Sequence, residues 1–191
     1  MRKYPQISAE VELTSRDVDP VEEGVDIAIQ VGQPHDSTLI ARKLFESGRR
    51  LCASPDYLAQ HGTPQSSDEL SGHRAILLPQ DSPRYWPLLG EHITCQRVLS
   101  CNNITLAREA AVAGAGIAGL PLMISEEAVQ SGRLIALLPD ARLPVGELYA
   151  VYPSRRFQAM KVKTFLDFLM ASLPHSSLLE PSTAGLLTSR P

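Results

Sequence analysis

An α/β fold built around a parallel sheet is predicted by two features of this sequence. Residues 7–32 read strand, helix, strand at the spacing of a βαβ unit, the connection that joins parallel strands. Further on, short apolar runs at residues 75–78, 97–100, 117–120 and 134–137 repeat the theme around a helical pattern. A chain of 191 residues with 43% hydrophobic side chains is long enough to bury a substantial core in one or two domains.

Ile7, Ala9, Val11 and Leu13 alternate with Ser8, Glu10, Glu12 and Thr14, the pattern of a half-buried strand. Residues 17–23 predict a short helix, with Pro20 in its first turn and Gly24 as its stop. Residues 25–32 follow as a more fully buried strand, and residues 39–45 and 49–54 give two more, leading into a helix over 55–60. Residues 148–152 form another strand. Beyond it Val162, Phe165, Leu166, Leu169 and Leu173 predict the apolar face of a last helix, with Lys161, Lys163 and Asp167 off that face. From Pro174 onward Ser, Pro, Leu and Thr dominate without periodicity, so residues 174–191 are expected to be a disordered tail.

A net charge of -3 gives no general attraction to nucleic acid, and the basic residues come in scattered pairs such as Arg42-Lys43 and Arg49-Arg50. Cys52, Cys95 and Cys101 are odd in number and form no C-x-x-C, which fits a reduced, cytoplasmic setting with Cys52 and Cys101 as small core residues. No apolar run follows Met1-Arg2-Lys3, and the uncharged stretch over 110–125 is too short and too broken to span a bilayer, so no membrane association is expected.

Catalytic signatures are missing. His35, His61, His73, His92 and His175 have no metal-ligand spacing, and neither a nucleophile elbow nor a phosphate loop occurs. His35 with Asp36, and His73 with Arg74, read as solvated loop residues, and Trp86 reads as an aromatic cover over a core. Binding rather than catalysis is the leading class, with no metal expected.

Gly114, Gly116 and Gly119 do spell G-x-G-x-x-G, with Asp140 about twenty residues on, as in a dinucleotide site. That site needs the glycines to follow a strand and open a helix. Here Leu106, Ala110, Ala113 and Ile117 make a helical stripe that ends among the glycines, so glycine serves as a helix stop and no nucleotide cofactor is expected. The other end of that helix suits a ligand better. Asn102 and Asn103 stand at its N-cap, after the strand-like run ending at Ser100, and free amides there attract a carboxylate or other small anion. The competing reading has one asparagine capping its own helix and the other facing water.

Several segments together resemble the effector-binding domain of LysR-type transcriptional regulators. They are Val21-Glu22-Glu23-Gly24-Val25-Asp26-Ile27-Ala28-Ile29, Leu39-Ile40-Ala41-Arg42-Lys43-Leu44 and Arg50-Leu51-Cys52-Ala53-Ser54-Pro55-Asp56-Tyr57-Leu58. Asp68-Glu69-Leu70 with His73, the stretch over 102–121, and the closing strand over 148–153 with its helix complete the match, which covers residues 4–173. The resemblance implies a two-lobed α/β fold of the type 2 periplasmic-binding-protein kind, with a small effector held between the lobes. It places lobe I at residues 1–47 plus 147–173 and lobe II at 48–146. It also implies effector contacts from Gly32 and Gln33 in lobe I, and from Ser100, Cys101, Asn102, Asn103, Gly119, Leu120 and Pro121 in lobe II.

Family members begin with a helix-turn-helix, a linker helix and the first strand of lobe I. None of these precedes Met1, so lobe I is expected to be incomplete and DNA contact to require a helix-turn-helix that this chain does not carry. Transcriptional control by a homo-oligomer, a dimer or tetramer in the family, is the function the resemblance implies. A free-standing small-molecule-binding protein, or an enzyme of related fold, is the second class.

Overall fold

Periodicity in this chain is converted into two separate sheets. A computed structural model describes residues 8–14, 16, 18–34, 38–79, 81, 93–141, 143, 146–154 and 160–173. In chain order its elements are β1 (Ala28–Val31), β2 (Leu39–Ser47), β3 (Arg49–Ala53), α1 (Pro55–His61), a short 3-10 helix (Asp68–Gly72), β4 (Arg74–Leu77), β5 (Gln96–Ser100), α2 (Ile104–Val112), β6 (Ile117–Pro121), α3 (Leu122–Gln130), β7 (Ile135–Leu137), β8 (Gly146–Pro153) and α4 (Met160–Ser172). The expected disordered tail, Trp86, Asp36 and the histidines at 35, 92 and 175 lie outside the described residues.

The five-stranded sheet has the order β5-β4-β6-β3-β7, with β4 parallel to both β5 and β6, and β3 antiparallel to β6 and β7. Its inner strands are apolar at consecutive positions because both faces are covered. Leu51, Ala53, Ala75, Leu77 and Ile117 point to one core with Tyr57 and Leu70. Cys52, Ile76, Ala118 and Leu120 point to the other, where Ala107 and Ala111 bring α2 close. The buried stripe of α2 is therefore Ala107 and Ala111, whereas Leu106 of the expected stripe is 51% exposed. Alanine lets the helix backbone approach the sheet more closely than leucine would.

The glycines after α2 have local explanations. Gly114 has φ of 82° just past the C-cap Ala113, the left-handed position that glycine fills at a helix end. A Cβ on Gly116 would lie 2.6 Å from the Arg74 carbonyl oxygen, so that residue is small because β4 passes against it. The helix α3 carries no counterpart in the expected element order. Its signal was Pro121 at the helix entry and Gly132 just beyond its end.

The three-stranded sheet has the order β1-β8-β2 and is antiparallel throughout. This corrects the expected βαβ unit. Residues 8–14 form no strand and are exposed, with Leu13 at 93%, and residues 20–24 make a single turn on Asp19 rather than a helix. Alternation specifies a strand's faces but not its neighbour, and β1 finds its neighbour in β8. The strand β1 is also shorter and less buried than expected, with Ile29 and Val31 exposed. Leu148, Ala150 and Tyr152 of β8 turn towards Val162 and Leu166 of α4, while Phe165, expected on that face, is 40% exposed. No helix among the described residues is long and apolar enough to cross a membrane.

Candidate functional site

Strand direction decides which loops gather. Because β4, β5 and β6 are parallel, Leu77, Ser100 and Pro121 end at the same edge of the five-stranded sheet, and the Cys101 amide donates to the Leu77 carbonyl at 3.1 Å. Antiparallel β3 starts at that edge, with Arg49 opposite Pro121. The helix α2 also starts there. Asn103 is its N-cap, its Oδ1 accepting from the Leu106 amide at 2.9 Å, so capping is the role the geometry gives it. Ser100 and Asn102 are exposed beside it, and Cys101, half-buried rather than a core residue, donates from Sγ to the Asn103 carbonyl at 3.5 Å. No acidic side chain lies in the first turn of α2, so the partial positive charge of its N-terminus has no carboxylate in that turn to offset it.

The other expected contacts at this edge are more enclosed. Leu120 is fully buried in the core, the Gly119 carbonyl accepts from Arg49 Nη2 at 2.6 Å, and the half-buried Pro121 gives its carbonyl to Ser125 Oγ at 3.1 Å. Arg49 also donates to Asp81 at 2.9 Å. The two side chains are only 5% and 1% exposed, and Asp81 Oδ2 accepts from the Leu78 amide at 2.8 Å. This buried pair ties β3, β4 and β6 together at their shared edge, and the sequence reading missed it.

Gly32 and Gln33 follow β1 at the corresponding end of the three-stranded sheet. Val31 lies opposite Leu148, and two residues earlier Gly146 lies opposite Ser47, after which Gly48 carries the chain into β3. The Gly48 carbonyl then accepts from the Leu122 amide at 2.9 Å. Both expected groups of contacts thus sit at the sheet ends that join through Gly48. The Gly32 amide donates to the Glu147 carbonyl at 2.9 Å. Exposed Gln33 donates from Nε2 to the Tyr149 hydroxyl at 3.0 Å, and Tyr149 donates to Glu147 Oε2 at 2.9 Å. Lys43 donates to Glu147 Oε1 at 2.6 Å and also to Glu46. Hydrogen bonds from Lys43 and then Tyr149 hold the Glu147 carboxyl below its usual range, and bonds to Glu147 and Glu46 raise the Lys43 ammonium. Tyr149, Glu147 and Lys43 were also missed, and the signal was their spacing on paired strands rather than any motif.

Away from these ends, His73 corrects the expectation of a solvated loop residue. It is 7% exposed, with Nδ1 3.0 Å from the Tyr57 hydroxyl, which also accepts from the Arg74 amide at 2.9 Å. Among the described residues no group of three or more histidine, cysteine or acidic side chains is arranged to hold a metal.

Two sheets joined through Gly48, with polar groups at the joined ends, fit the type 2 periplasmic-binding-protein-like α/β fold of the LysR regulatory domains that the chain matches. The chain belongs to the LysR substrate binding domain family, whose model matches residues 1–174. It is similar to the helix-turn-helix-type transcriptional regulator CrgA of Neisseria meningitidis serogroup C, at 34% identity over 90% of this chain and 59% of that protein. It is also similar to the helix-turn-helix-type transcriptional regulator DmlR of Escherichia coli K12, at 36% identity over 88% of this chain and 56% of that protein. The solved regulatory domain of CrgA from Neisseria meningitidis superimposes with a TM-score of 0.73 at 34% identity, covering 81% of this chain and 78% of that one. The chain therefore spans less than two thirds of the length of these full regulators.

Proposed function

We propose that this chain is the effector-sensing part of a LysR-type transcriptional regulator, and that it binds a small carboxylate between two lobes. Lobe I is residues 1–47 with 147–173, and lobe II is residues 48–146. The observation that carries this reading is the convergence of Gly32 and Gln33, on one sheet, and Ser100, Cys101, Asn102 and Asn103, on the other, at the ends that meet at Gly48. Open α/β sheets bind ligands at the carboxyl ends of their strands, and the uncompensated α2 N-terminus favours an anion there. Gly119, Leu120 and Pro121 belong to the same edge, Leu120 through its backbone only.

A ligand that touches both lobes binds the closed form better than the open one, and that difference shifts the population. DNA contact belongs to a helix-turn-helix of the kind the relatives' names carry, and the working regulator is a cytoplasmic homo-oligomer without enzymatic activity. Titration calorimetry with acetate, propionate and succinate tests the site. Asn102→Ala is expected to weaken binding by about 1–3 kcal/mol if it removes a hydrogen bond enclosed in the complex. Unchanged affinity in both Asn102→Ala and Gln33→Ala places the site elsewhere.

A further inference from the structure

We infer that the group brought against Gln33 is a hydrogen-bond donor, which narrows the effector from small carboxylates to carboxylates bearing a hydroxyl or an amino group. This rests on the interlobe site proposed above. Lys43 supplies only donors, and it holds Glu147 Oε1 at 2.6 Å. Together with the Tyr149 hydroxyl it keeps Glu147 ionised at neutral pH, and an ionised carboxylate only accepts. The single hydroxyl proton of Tyr149 therefore goes to Glu147 Oε2, 2.9 Å away.

With its proton committed, the Tyr149 oxygen can only accept from Gln33, and the amide must present its NH2 group at the 3.0 Å contact. Tyr149 is 5% exposed, so it has little access to water to exchange these roles. Gln33 Oε1 is then turned away from Tyr149, and it takes no hydrogen bond among the described residues. A bare carboxylate oxygen placed there would meet another acceptor. A hydroxyl or ammonium group on the same ligand would instead donate to Oε1, while its carboxylate lies at the α2 end.

Titration calorimetry on the whole 191-residue chain tests this with matched sets. The sets are acetate, glycolate and glycine; propionate, lactate and alanine; and succinate, malate and aspartate. In at least one set the hydroxy or amino acid is expected to bind about ten-fold tighter than its parent. In Glu147→Gln the new carbonyl must serve Lys43, so the new NH2 faces Tyr149, whose proton is released to Gln33 Oε1 and turns that amide over. Tyr149→Phe removes the constraint altogether. Both variants are expected to reduce the preference within the set to about three-fold or less. A purely structural role would weaken every member equally, and that result overturns the inference. Equal binding within every set overturns the donor requirement and leaves the carboxylate site standing. Failure of all nine compounds to bind overturns the interlobe reading itself.

Discussion

The two sheets solve the same problem with opposite means. The five-stranded sheet buries two apolar clusters, one on each face, and encloses the Arg49–Asp81 ion pair, which is hydrogen-bonded to backbone as well, while the buried Arg50 reaches a half-exposed Glu126. The three-stranded sheet has one cluster, against α4, and leaves Ile29, Val31 and Ile40 exposed. Its charged contacts are at the surface: Lys43 with Glu147, Arg42 with Asp167, and Lys161 with Asp26. Enclosed charges depend strongly on each partner, whereas exposed ones exchange one another for water at little cost. Stability should therefore be concentrated in the five-stranded sheet and adjustability in the three-stranded one, where the Gln33 network lies.

The largest expected effect comes from Asp81→Ala. It leaves the Arg49 guanidinium buried without its counter-charge and should cost about 3–5 kcal/mol in urea unfolding. Amide hydrogen exchange should quicken in β3, β4 and β6 while β1 and β8 keep their protection. Equal quickening in both sheets would mean that they unfold as one unit, with stability shared rather than concentrated in the five-stranded sheet.

A smaller effect, but one with a pH signature, is expected at His73. Burial, and then the neighbouring His61, lower its pKa from the ordinary 6.5, with Glu69 opposing. The unfolded chain therefore takes up the proton first. The stability contributed by neutral His73 is complete above 6.5 and is lost as the pH falls from there to the lower folded-state value. His73→Gln should cost about 0.5–1.5 kcal/mol at neutral pH through the Tyr57 bond and should flatten this part of the acid profile. An unchanged profile would assign the acid sensitivity to other groups.

The smallest effect is expected at the surface of the three-stranded sheet. Lys161 and Asp26 are 63% and 59% exposed, so Lys161→Ala should change stability by about 0.2–1 kcal/mol, and less in high salt. A loss approaching that of Asp81→Ala would show that α4 depends on its charged contacts more than on Val162 and Leu166.

By itself the sequence determined what depends on neighbours along the chain. The inner strands β3, β4 and β6 were legible as apolar runs, Asn103 as a cap, and the glycine after α2 as a helix stop rather than a nucleotide loop. The family was legible from the order of its segments. Tertiary structure alone decided the partners. Period-two alternation is the same whether a strand pairs in parallel, antiparallel or not at all, so residues 8–14 read as a strand although they pair with nothing described, and β1 joins β8 antiparallel. Asp81, His73 and Tyr149 acquired their roles in the same way. Arg49, Tyr57 and Gln33 reach them from distant parts of the chain, and a local pattern carries no record of which side chain will arrive from elsewhere.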